Sequence, residues 1–360
     1  KGTAIRPCPY RNKMAEIFPM GSLSVDFTGH ILLCRFKTRI YLFSILSMKK
    51  FISQLALFVW LTTLLIAGGN LGTATLIKKN ALFRLADNID KVIVGHSHPE
   101  SAYNDSLITG LLNIAQSGES YFYSYYKIKQ LIKQNSHLKY IFLEFTNNHV
   151  DEEMDNWIWG EKTITFRYPT YSPFIDNDGY QLLLQKDFEG VLNSQVKSMI
   201  KNIKALSTKN FDYIKKTGGY FYLTRDKTDS LLLAEANRKK SPLFTTRHAD
   251  YNLNYLDKII ALCKKQKVEL LLIRSPMHPK VFNPISEQEF DKVRMARFNS
   301  VPFLDFKNFP LANHEFGDFS HLNYRGSKKY SAFLNNLIEK GLLTSRDKQR
   351  FIDSFLSTIA

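Results

Sequence analysis

The stretch Lys91-Val-Ile-Val-Gly-His-Ser-His98 contains an apolar run that ends at a glycine and a serine. A short apolar run that is closed by a turn residue is typical of a buried strand. In an open parallel sheet, ligands bind beyond the carboxyl ends of the strands. Ser97 would lie at such an end, and it is therefore a candidate nucleophile.

A second motif, Asp318-Phe-Ser-His321, brings a carboxylate and an imidazole together near the C-terminus. A serine hydroxyl is a weak nucleophile until a neighbouring base accepts its proton, and an imidazole titrates near neutral pH. A carboxylate can fix the imidazole tautomer by accepting a hydrogen bond from its far nitrogen. The two motifs together predict a catalytic triad of Ser97, His321 and Asp318.

Two further segments lie between these motifs. Residues 113–120 (Asn-Ile-Ala-Gln-Ser-Gly-Glu-Ser) run into a Ser-Gly turn, and residues 139–148 (Lys-Tyr-Ile-Phe-Leu-Glu-Phe-Thr-Asn-Asn) read as a strand that ends in two asparagines. In this order, the four segments resemble the SGNH hydrolase superfamily, also called GDSL-like esterases and lipases. The resemblance covers about residues 90–150 and 250–340, and it matches Ser97, Gly118, Asn148 and the Asp318–His321 block to the family pattern.

One residue departs from that pattern, because His96 stands where the family name has an aspartate. The departure bears on the substrate more than on the chemistry. The resemblance also implies an oxyanion hole made of the backbone N–H groups of Ser97 and Gly118 and the side-chain amide of Asn148. One such donor is typically worth about 3 kcal/mol of barrier.

Three more side chains, those of His96, His149 and Arg274, stand at predicted strand ends and are candidate substrate contacts. Every residue singled out so far also has an ordinary structural interpretation. A serine can cap a helix, a glycine can form a turn, an asparagine can lie in a loop and a histidine can lie on the surface.

Beyond residue 80 the apolar patterns alternate between strand and helix, which predicts an α/β fold. We expect a flavodoxin-like three-layer sandwich with a central, mostly parallel sheet. The predicted strands are residues 91–95, 112–115, 137–145, 268–274 and 302–306. The predicted helices of the sandwich are residues 121–135, 252–265, 286–298 and 325–337, and residues 99–112 are predicted as a helix or a turn-helix.

Residues 151–250 break the alternation and predict an insertion over the catalytic face of a domain that covers residues 80–345. Its first part is rich in aromatic residues, namely Trp157, Trp159, Phe166, Tyr168, Tyr171, Phe174 and Tyr180. These side chains either form a cap that stacks sugar rings or covers an acyl chain, or they pack the insertion's own core. Residues 192–206 and 211–217 are predicted as amphipathic helices, and residues 346–360 as a C-terminal tail or helix.

Residues 51–77 contain no charged side chain, and Lys49 and Lys50 precede them. A membrane span needs about 20 apolar residues, whereas a secretory h-region needs about 7–15. We favour an uncleaved signal-anchor over residues 48–79, with cleavage near residues 72–74 as the alternative. The lysines before it predict that the rest of the protein lies outside the cytoplasm, in a bacterial cell envelope. Residues 1–47 are expected to be a non-native or unstructured extension.

The net charge of +16 comes from dispersed lysines, and no nucleic-acid-binding motif accompanies it. We therefore expect solvated basic faces and no nucleic-acid partner. Cys8, Cys34 and Cys263 stand at unrelated spacings, which argues against a disulfide framework and a cysteine metal site. No metal and no other cofactor is predicted.

These features predict a serine-dependent acyl-ester hydrolase or O-acyltransferase that acts on an acyl-ester or glycan substrate, such as an acetylated cell-envelope glycan. Hydrolysis and transfer share one acyl-enzyme and differ in whether water or a sugar hydroxyl attacks it. The alternative is a non-catalytic envelope glycan-binding or assembly protein on the same fold. The sequence leaves the oligomeric state open.

Overall fold

The protein is built around a five-stranded sheet in which every strand pair is parallel. The strands are Lys91–Val94 (β1), Leu111–Asn113 (β2), Tyr140–Glu144 (β3), Glu269–Arg274 (β4) and Phe303–Asp305 (β5). Their order, β2-β1-β3-β4-β5, is that of flavodoxin-like doubly wound folds. The predicted α/β fold is confirmed. The structure, a computed structural model, describes residues 27–235 and 247–359. Within these ranges, residues 27–45, 161 and 235 are described by their backbone only.

Thirteen helices are found among the described residues. They are Phe27–Asn80 (α1), Ser97–Ala102 (α2), Tyr121–Gln134 (α3), Asn147–Val150 (α4), Glu153–Trp159 (α5), Glu161–Tyr171 (α6), Asn177–Lys186 (α7), Phe188–Ser207 (α8), Thr228–Glu235 (α9), Asp250–Gln266 (α10), Pro284–Arg297 (α11), Tyr324–Glu339 (α12) and Lys348–Leu356 (α13). Short 3₁₀ turns cover Asp105–Leu107, Pro279–Val281, Asn313–Glu315 and Leu342–Thr344.

Two hydrophobic cores lie on the two faces of the sheet. Val92 packs into one core with Leu131 of α3 and Leu256 of α10. Ile93, the next residue of the same strand, packs into the other core with Leu334 of α12. Successive residues of a strand point to opposite faces, so both faces of β1 are apolar and both are covered. This burial explains why the central strands read as unbroken aliphatic runs in the sequence.

Two predicted elements differ from the structure. The helix or turn-helix expected over residues 99–112 ends at Ala102, and the 3₁₀ turn Asp105–Leu107 and the start of β2 occupy its second half. Residues 211–217 were expected to form a helix, but Asp212 forms a parallel bridge with Leu82. The Leu82 N–H donates to the Phe211 carbonyl at 2.8 Å, and the Tyr213 N–H donates to the Leu82 carbonyl at 2.9 Å. Tyr213 is buried and stacks on Phe83 with ring centroids 5.4 Å apart. An anchored aromatic ring therefore holds this segment extended, against its apparent helical spacing.

Within its described residues, 151–235 and 247–250, the insertion folds mainly as helices α5–α9. Tyr168, Tyr171 and Phe174 are buried in the hydrophobic core, whereas Phe166 is exposed. These three side chains therefore pack a core that the insertion shares with one face of the sheet, and Trp159 packs against the same core. Trp157 is partly exposed and lines a recess next to α4.

The helix α1 carries the apolar segment of the N-terminal region. Within the described residues it is the one helix that is long and apolar enough to cross a membrane, over Leu46–Asn80, with a mean hydropathy of 1.9. The chain divides into two compact units, one up to Leu64 and the other from Leu65 onward. The first 26 residues of the predicted extension lie outside the described residues.

Candidate active site

Ser97 is the first residue of α2 and follows β1 by way of Gly95 and His96. Gly95 has φ +157°, and a Cβ there would lie 2.7 Å from the Cβ of Glu144 and 2.8 Å from Cγ of Pro99. The close packing leaves no room for a side chain at this turn. Gly95 therefore lets the chain turn sharply at the carboxyl end of β1, where it presents the serine.

The structure brings Ser97, His321 and Asp318 together. The Ser97 Oγ lies 2.8 Å from His321 Nε2, and His321 Nδ1 lies 2.8 Å from Asp318 Oδ1. All three side chains remain partly exposed, with 21% of the His321 side chain and 22% of the Asp318 side chain accessible. These are the contacts that a nucleophile, a general base and an orienting carboxylate require, at the ordinary lengths of hydrogen bonds.

Arg225, from the insertion, completes this arrangement. Its Nη2 contacts Asp318 Oδ2 and lies 3.1 Å from His321 Nδ1. A carboxylate can only accept hydrogen bonds and a guanidinium can only donate them. The shorter contact to Asp318 therefore indicates that Nδ1 carries the imidazole proton. In that tautomer, Nε2 is left as the acceptor that faces the Ser97 hydroxyl.

Asp318 is held in its ionised form. Partial burial raises the pKa of this carboxyl, but hydrogen bonds and charge from His321, the Ser320 N–H and Arg225 outweigh burial and lower the pKa to about 2. The N–H groups of Ser320 and His321 both donate to Asp318 Oδ1, at 2.8 and 3.0 Å. The carboxylate is thus oriented by its own loop as well as by the imidazole.

Two backbone donors are available for an oxyanion. No hydrogen bond to a described residue uses the N–H of Ser97 or that of Gly118. Gly118 adopts φ +72°, a left-handed conformation that favours glycine. The Gln116 N–H donates to the Gly95 carbonyl at 2.9 Å, so the Gly118 loop is tied to the turn that precedes Ser97. These features fit the backbone part of the predicted oxyanion hole.

Asn148 lies in α4 and is exposed, and its amide makes no hydrogen bond to another described residue. It lines the recess that also contains Asn147, Asp151 and Trp157. Its neighbour Asn147 is instead anchored, with Nδ2 donating to Ser286 Oγ at 2.9 Å and to Glu287 at 2.8 Å. Asn148 is therefore free to turn towards a ligand, and its oxyanion role stays a prediction.

The three candidate substrate contacts are all buried, which corrects that prediction. His96 and His149 are 0% exposed and Arg274 is 1% exposed. Arg274 forms ion pairs with Glu287, at 3.1 Å, and with Asp305, so it ties the ends of β4 and β5 to α11. A strand-end position was a poor guide here, because a side chain at such an end can point inward as readily as outward.

A buried Glu144–His98 pair beside the triad was missed by the sequence interpretation. Glu144, the last residue of β3, is fully buried and lies 3.1 Å from His98 Nδ1. Burial raises the pKa of Glu144, and interaction with His98 opposes that rise. The His98 ring in turn contacts the His321 ring edge-on, with centroids 5.3 Å apart. The available signal was a carboxylate inside an otherwise apolar strand.

His96, Glu144 and His149 are the residues of this region that could hold a metal ion, since their ligand atoms lie within 4.8 Å of one another. The rings of His96 and His149 are stacked, with 18° between their planes and 4.6 Å between centroids. Tyr121 stacks on His149 as well. An ion bound to both imidazoles would have to lie in both ring planes, so the rings would have to turn. Burial holds the pKa of His96 and of His149 well below the usual range, which fits two neutral packed imidazoles.

The Gly118 loop rests on a buried ion pair. Glu119 and Lys127 are both fully enclosed, and their charged atoms lie 2.8 Å apart. Lys127 Nζ also donates to the carbonyl of Ile114 at 2.7 Å and to that of Thr217 at 2.6 Å. The pair therefore ties the loop after β2 to α3 and to the insertion.

We expect Lys127→Met to lower the free energy of unfolding by about 3–5 kcal/mol, because it leaves the Glu119 carboxylate buried without its partner. Equilibrium urea unfolding of the detergent-solubilised chain, followed by circular dichroism, measures this loss. Lys133→Met, at an exposed position of the same helix, is the matched control and is expected to change stability by less than about 0.5 kcal/mol. Equal stability of the two variants would contradict the assignment.

Comparison with known proteins adds little to this geometry. A family model matches residues 224–343, which include Arg225, Asp318 and His321 but not Ser97. That match covers less than half of the chain and does not assign it to a family. No curated protein matches the sequence. Among solved structures, a proposed platelet activating factor from Streptococcus pneumonia is similar over 78% of this chain and 98% of its own, with 12% identity and a TM-score of 0.35. A likeness at that level carries no argument about function.

Proposed function

We propose that this protein is a serine-dependent acyl-ester hydrolase or O-acyltransferase of the SGNH type. The observation that carries the proposal is the continuous contact from Ser97 Oγ through His321 to Asp318. His321 Nε2 accepts the serine proton as Oγ attacks the acyl carbonyl, and Asp318 stabilises the imidazolium that forms. The free N–H groups of Ser97 and Gly118 then stabilise the oxyanion.

The second half of the reaction returns that proton. The imidazolium donates it to the leaving alcohol, which departs and leaves an ester between the acyl group and Ser97. Water or a sugar hydroxyl then attacks this ester, with His321 acting as base once more. Acetylated cell-envelope glycans are the substrate class that we propose, and Trp157 at the edge of the recess is the aromatic surface available to a sugar ring.

The direct test is covalent labelling. We expect a fluorophosphonate probe to react with the full chain and mass spectrometry to locate the adduct on Ser97, because phosphonylation requires a serine that a neighbouring base activates. Heat-denatured protein is the control and should not be labelled. An adduct on another residue, or equal labelling of denatured protein, would remove Ser97 from the mechanism.

We further propose that α1 anchors the protein in the cytoplasmic membrane, with the sheet domain outside the cytoplasm. Support comes from the uncharged run of residues 51–77 and from the two lysines that precede it.

A fusion of alkaline phosphatase to the C-terminus is expected to be active in a bacterial host, because that enzyme folds only outside the cytoplasm. Replacing Lys49 and Lys50 by glutamate weakens the topological signal and is expected to lower that activity. A fusion that is inactive, while a cytoplasmic reporter at the same position is active, would reverse the proposed orientation.

A further inference from the structure

Arg167 of α6 is a buried arginine that has no partner among the described residues. Its side chain is 3% exposed, and no hydrogen bond or ion pair joins its guanidinium to another described residue. Its one aromatic contact is with the ring of the adjacent Phe166, whose centroid lies 5.0 Å away. Buried guanidinium groups are normally paired with carboxylates. An unpaired one beside a candidate active site therefore indicates a place for an anion from outside the chain.

The guanidinium of Arg167 faces the candidate oxyanion glycine. A Cβ placed on Gly118 would meet Arg167 Nη2 at 3.5 Å and no other atom within 4 Å. The loop that contains Gly118 is tied to the turn before Ser97 by the hydrogen bond from the Gln116 N–H to the Gly95 carbonyl. Arg167 Nη2 thus lies next to the loop that contains Gly118, whose N–H is an expected oxyanion donor.

The charges around Arg167 leave a positive excess. Two carboxylates contact the Gly118 loop region, and both are engaged: Glu119 is paired with Lys127, and Glu100 accepts a hydrogen bond from Ser117 Oγ. Lys201 is exposed, and its Nζ contacts Thr170 Oγ1 of the same helix as Arg167. Loss of hydration together with repulsion from Lys216 and Arg167 lowers the pKa of Lys201. An anion near Arg167 would relieve this repulsion and pair the guanidinium at the same time.

We propose that Arg167 forms an anion subsite beside Gly118 that accepts a carboxylate or phosphate group. Its use by an ester substrate rests on the proposed function, whereas binding of the anion itself does not. The guanidinium recognises planar or tetrahedral oxyanions through paired N–H donors, which gives the subsite its chemical selectivity.

Binding is tested on the Ser97→Ala full chain, which cannot turn over ester. Inorganic phosphate is expected to raise its melting temperature by about 2–8 °C, and Arg167→Gln in the same background should abolish that rise. Arg167→Lys keeps the positive charge and should retain part of the rise in melting temperature. Lys162→Gln, at an exposed position of the same helix, should retain the whole rise. An equal rise in the Arg167→Gln protein, or no rise in the parent, would overturn the subsite.

A second arm identifies the source of the anion. If the substrate carries it on its acyl group, kcat/KM for p-nitrophenyl hemisuccinate should exceed that for p-nitrophenyl butyrate, and Arg167→Gln should reduce this ratio about tenfold or more. Arg167-dependent phosphate binding with no preference for the hemisuccinate would support a site for a free anion and contradict the acyl-borne one. Phosphate binding without turnover of either ester would leave the subsite standing and contradict the esterase.

A separate observation concerns α8, which exposes an apolar stripe. Phe188, Leu192, Val196, Ile200 and Ile203 are spaced three or four residues apart and are 41–64% exposed. That spacing places them on one face of the helix, and the residues of the opposite face, among them Val191 and Ala205, are buried. A contiguous apolar stripe of this length is unusual on a surface that only water covers.

The position of α8 along α1 indicates what covers the stripe. Asn202 Nδ2 lies 3.5 Å from Thr73 Oγ1, and a Cβ at Gly69 would lie 2.6 Å from Met199 Sδ. The uncharged run of α1 begins at residue 51, and about 20 residues cross the hydrocarbon core. The span would therefore end near residue 70, which is the level at which α8 packs against α1.

We infer that α8 lies in the outer interface of the lipid bilayer, with its apolar stripe towards the acyl chains. Lys197 and Lys204, which are exposed beside the stripe, suit contact with anionic headgroups. The inference rests on the proposed membrane span of α1.

The test uses the full chain in nanodiscs made with brominated lipid. Its cysteines at positions 8, 34 and 263 are replaced by serine, and single labelled cysteines are introduced by Ile200→Cys on α8, Leu61→Cys on α1 and Lys328→Cys on α12. We expect bromine to quench the fluorophore at positions 61 and 200 at least twofold and to leave position 328 unchanged. Quenching at 61 but not at 200 would contradict the α8 inference alone, and no quenching at either would contradict the membrane span as well. A label at position 200 that is shielded from water but insensitive to bromine would indicate that a second copy of the chain covers the stripe. That result would contradict the inferred contact of α8 with the bilayer.

Discussion

Ser97→Ala is expected to lower kcat for p-nitrophenyl acetate by roughly 10⁴–10⁶-fold. The reason is that no other described hydroxyl lies within hydrogen-bond distance of His321 Nε2, so covalent catalysis ends when Oγ is removed. Turnover is measured with purified full-chain protein, and circular dichroism checks that the variant is folded. Ser117→Ala, at an exposed serine of the neighbouring loop, serves as the matched control and should keep most of the activity.

The activity that remains in Ser97→Ala carries information of its own. The oxyanion donors and the binding surface survive the substitution, and such features alone can accelerate hydrolysis over water. A residual rate is therefore compatible with the mechanism, provided that it forms no acyl-enzyme. A variant that keeps more than about a tenth of wild-type kcat would instead show that ester cleavage takes place elsewhere on the protein.

The sheet was predictable because parallel strands are buried on both faces. β3 and β4 appear in the sequence as mainly apolar runs, and the predicted ranges contain the observed strands. The observed strands are shorter at their ends, where the first residues still belong to the incoming loop. The helix predicted for residues 211–217 was wrong for a different reason, since a bridge to Leu82 and the buried ring of Tyr213 override the local helical spacing.

The candidate triad could be proposed from the sequence because its chemistry requires a serine, a histidine and a carboxylate, with the serine just after a strand. Its surroundings were not predictable to the same degree. Arg225 lies in a coil without periodicity, and only the folded chain brings it within reach of Asp318. His96 and His149 looked available for a substrate, but whether a residue after a strand points inward depends on the turn, and both of these point into the core.

Asp318→Asn is expected to lower kcat about 10⁴-fold while the fold and KM change little. The amide can donate a hydrogen bond to His321 Nδ1, which favours the tautomer that carries its proton on Nε2 and so cannot accept one from Ser97. Steady-state kinetics with p-nitrophenyl acetate measure the loss. Arg225→Gln is the informative companion, because it removes a contact with the same carboxylate without changing the imidazole tautomer, and its effect should be at least tenfold smaller.

The pH dependence of the wild-type protein bears on the same residue. Because hydrogen bonds from His321 and the loop lower the pKa of Asp318 to about 2, its carboxylate stays ionised far below the usual aspartate value of 3.8. The stabilisation that it gives is complete above the unfolded value and is lost only as the pH falls through about 2. Any loss of activity between about pH 4 and 7 must therefore come from a group other than Asp318. If Asp318→Asn kept its kcat and only shifted the pH at which activity is lost on the acid side, the carboxylate would act through its charge alone. The orientation of His321 would then have to come from Arg225.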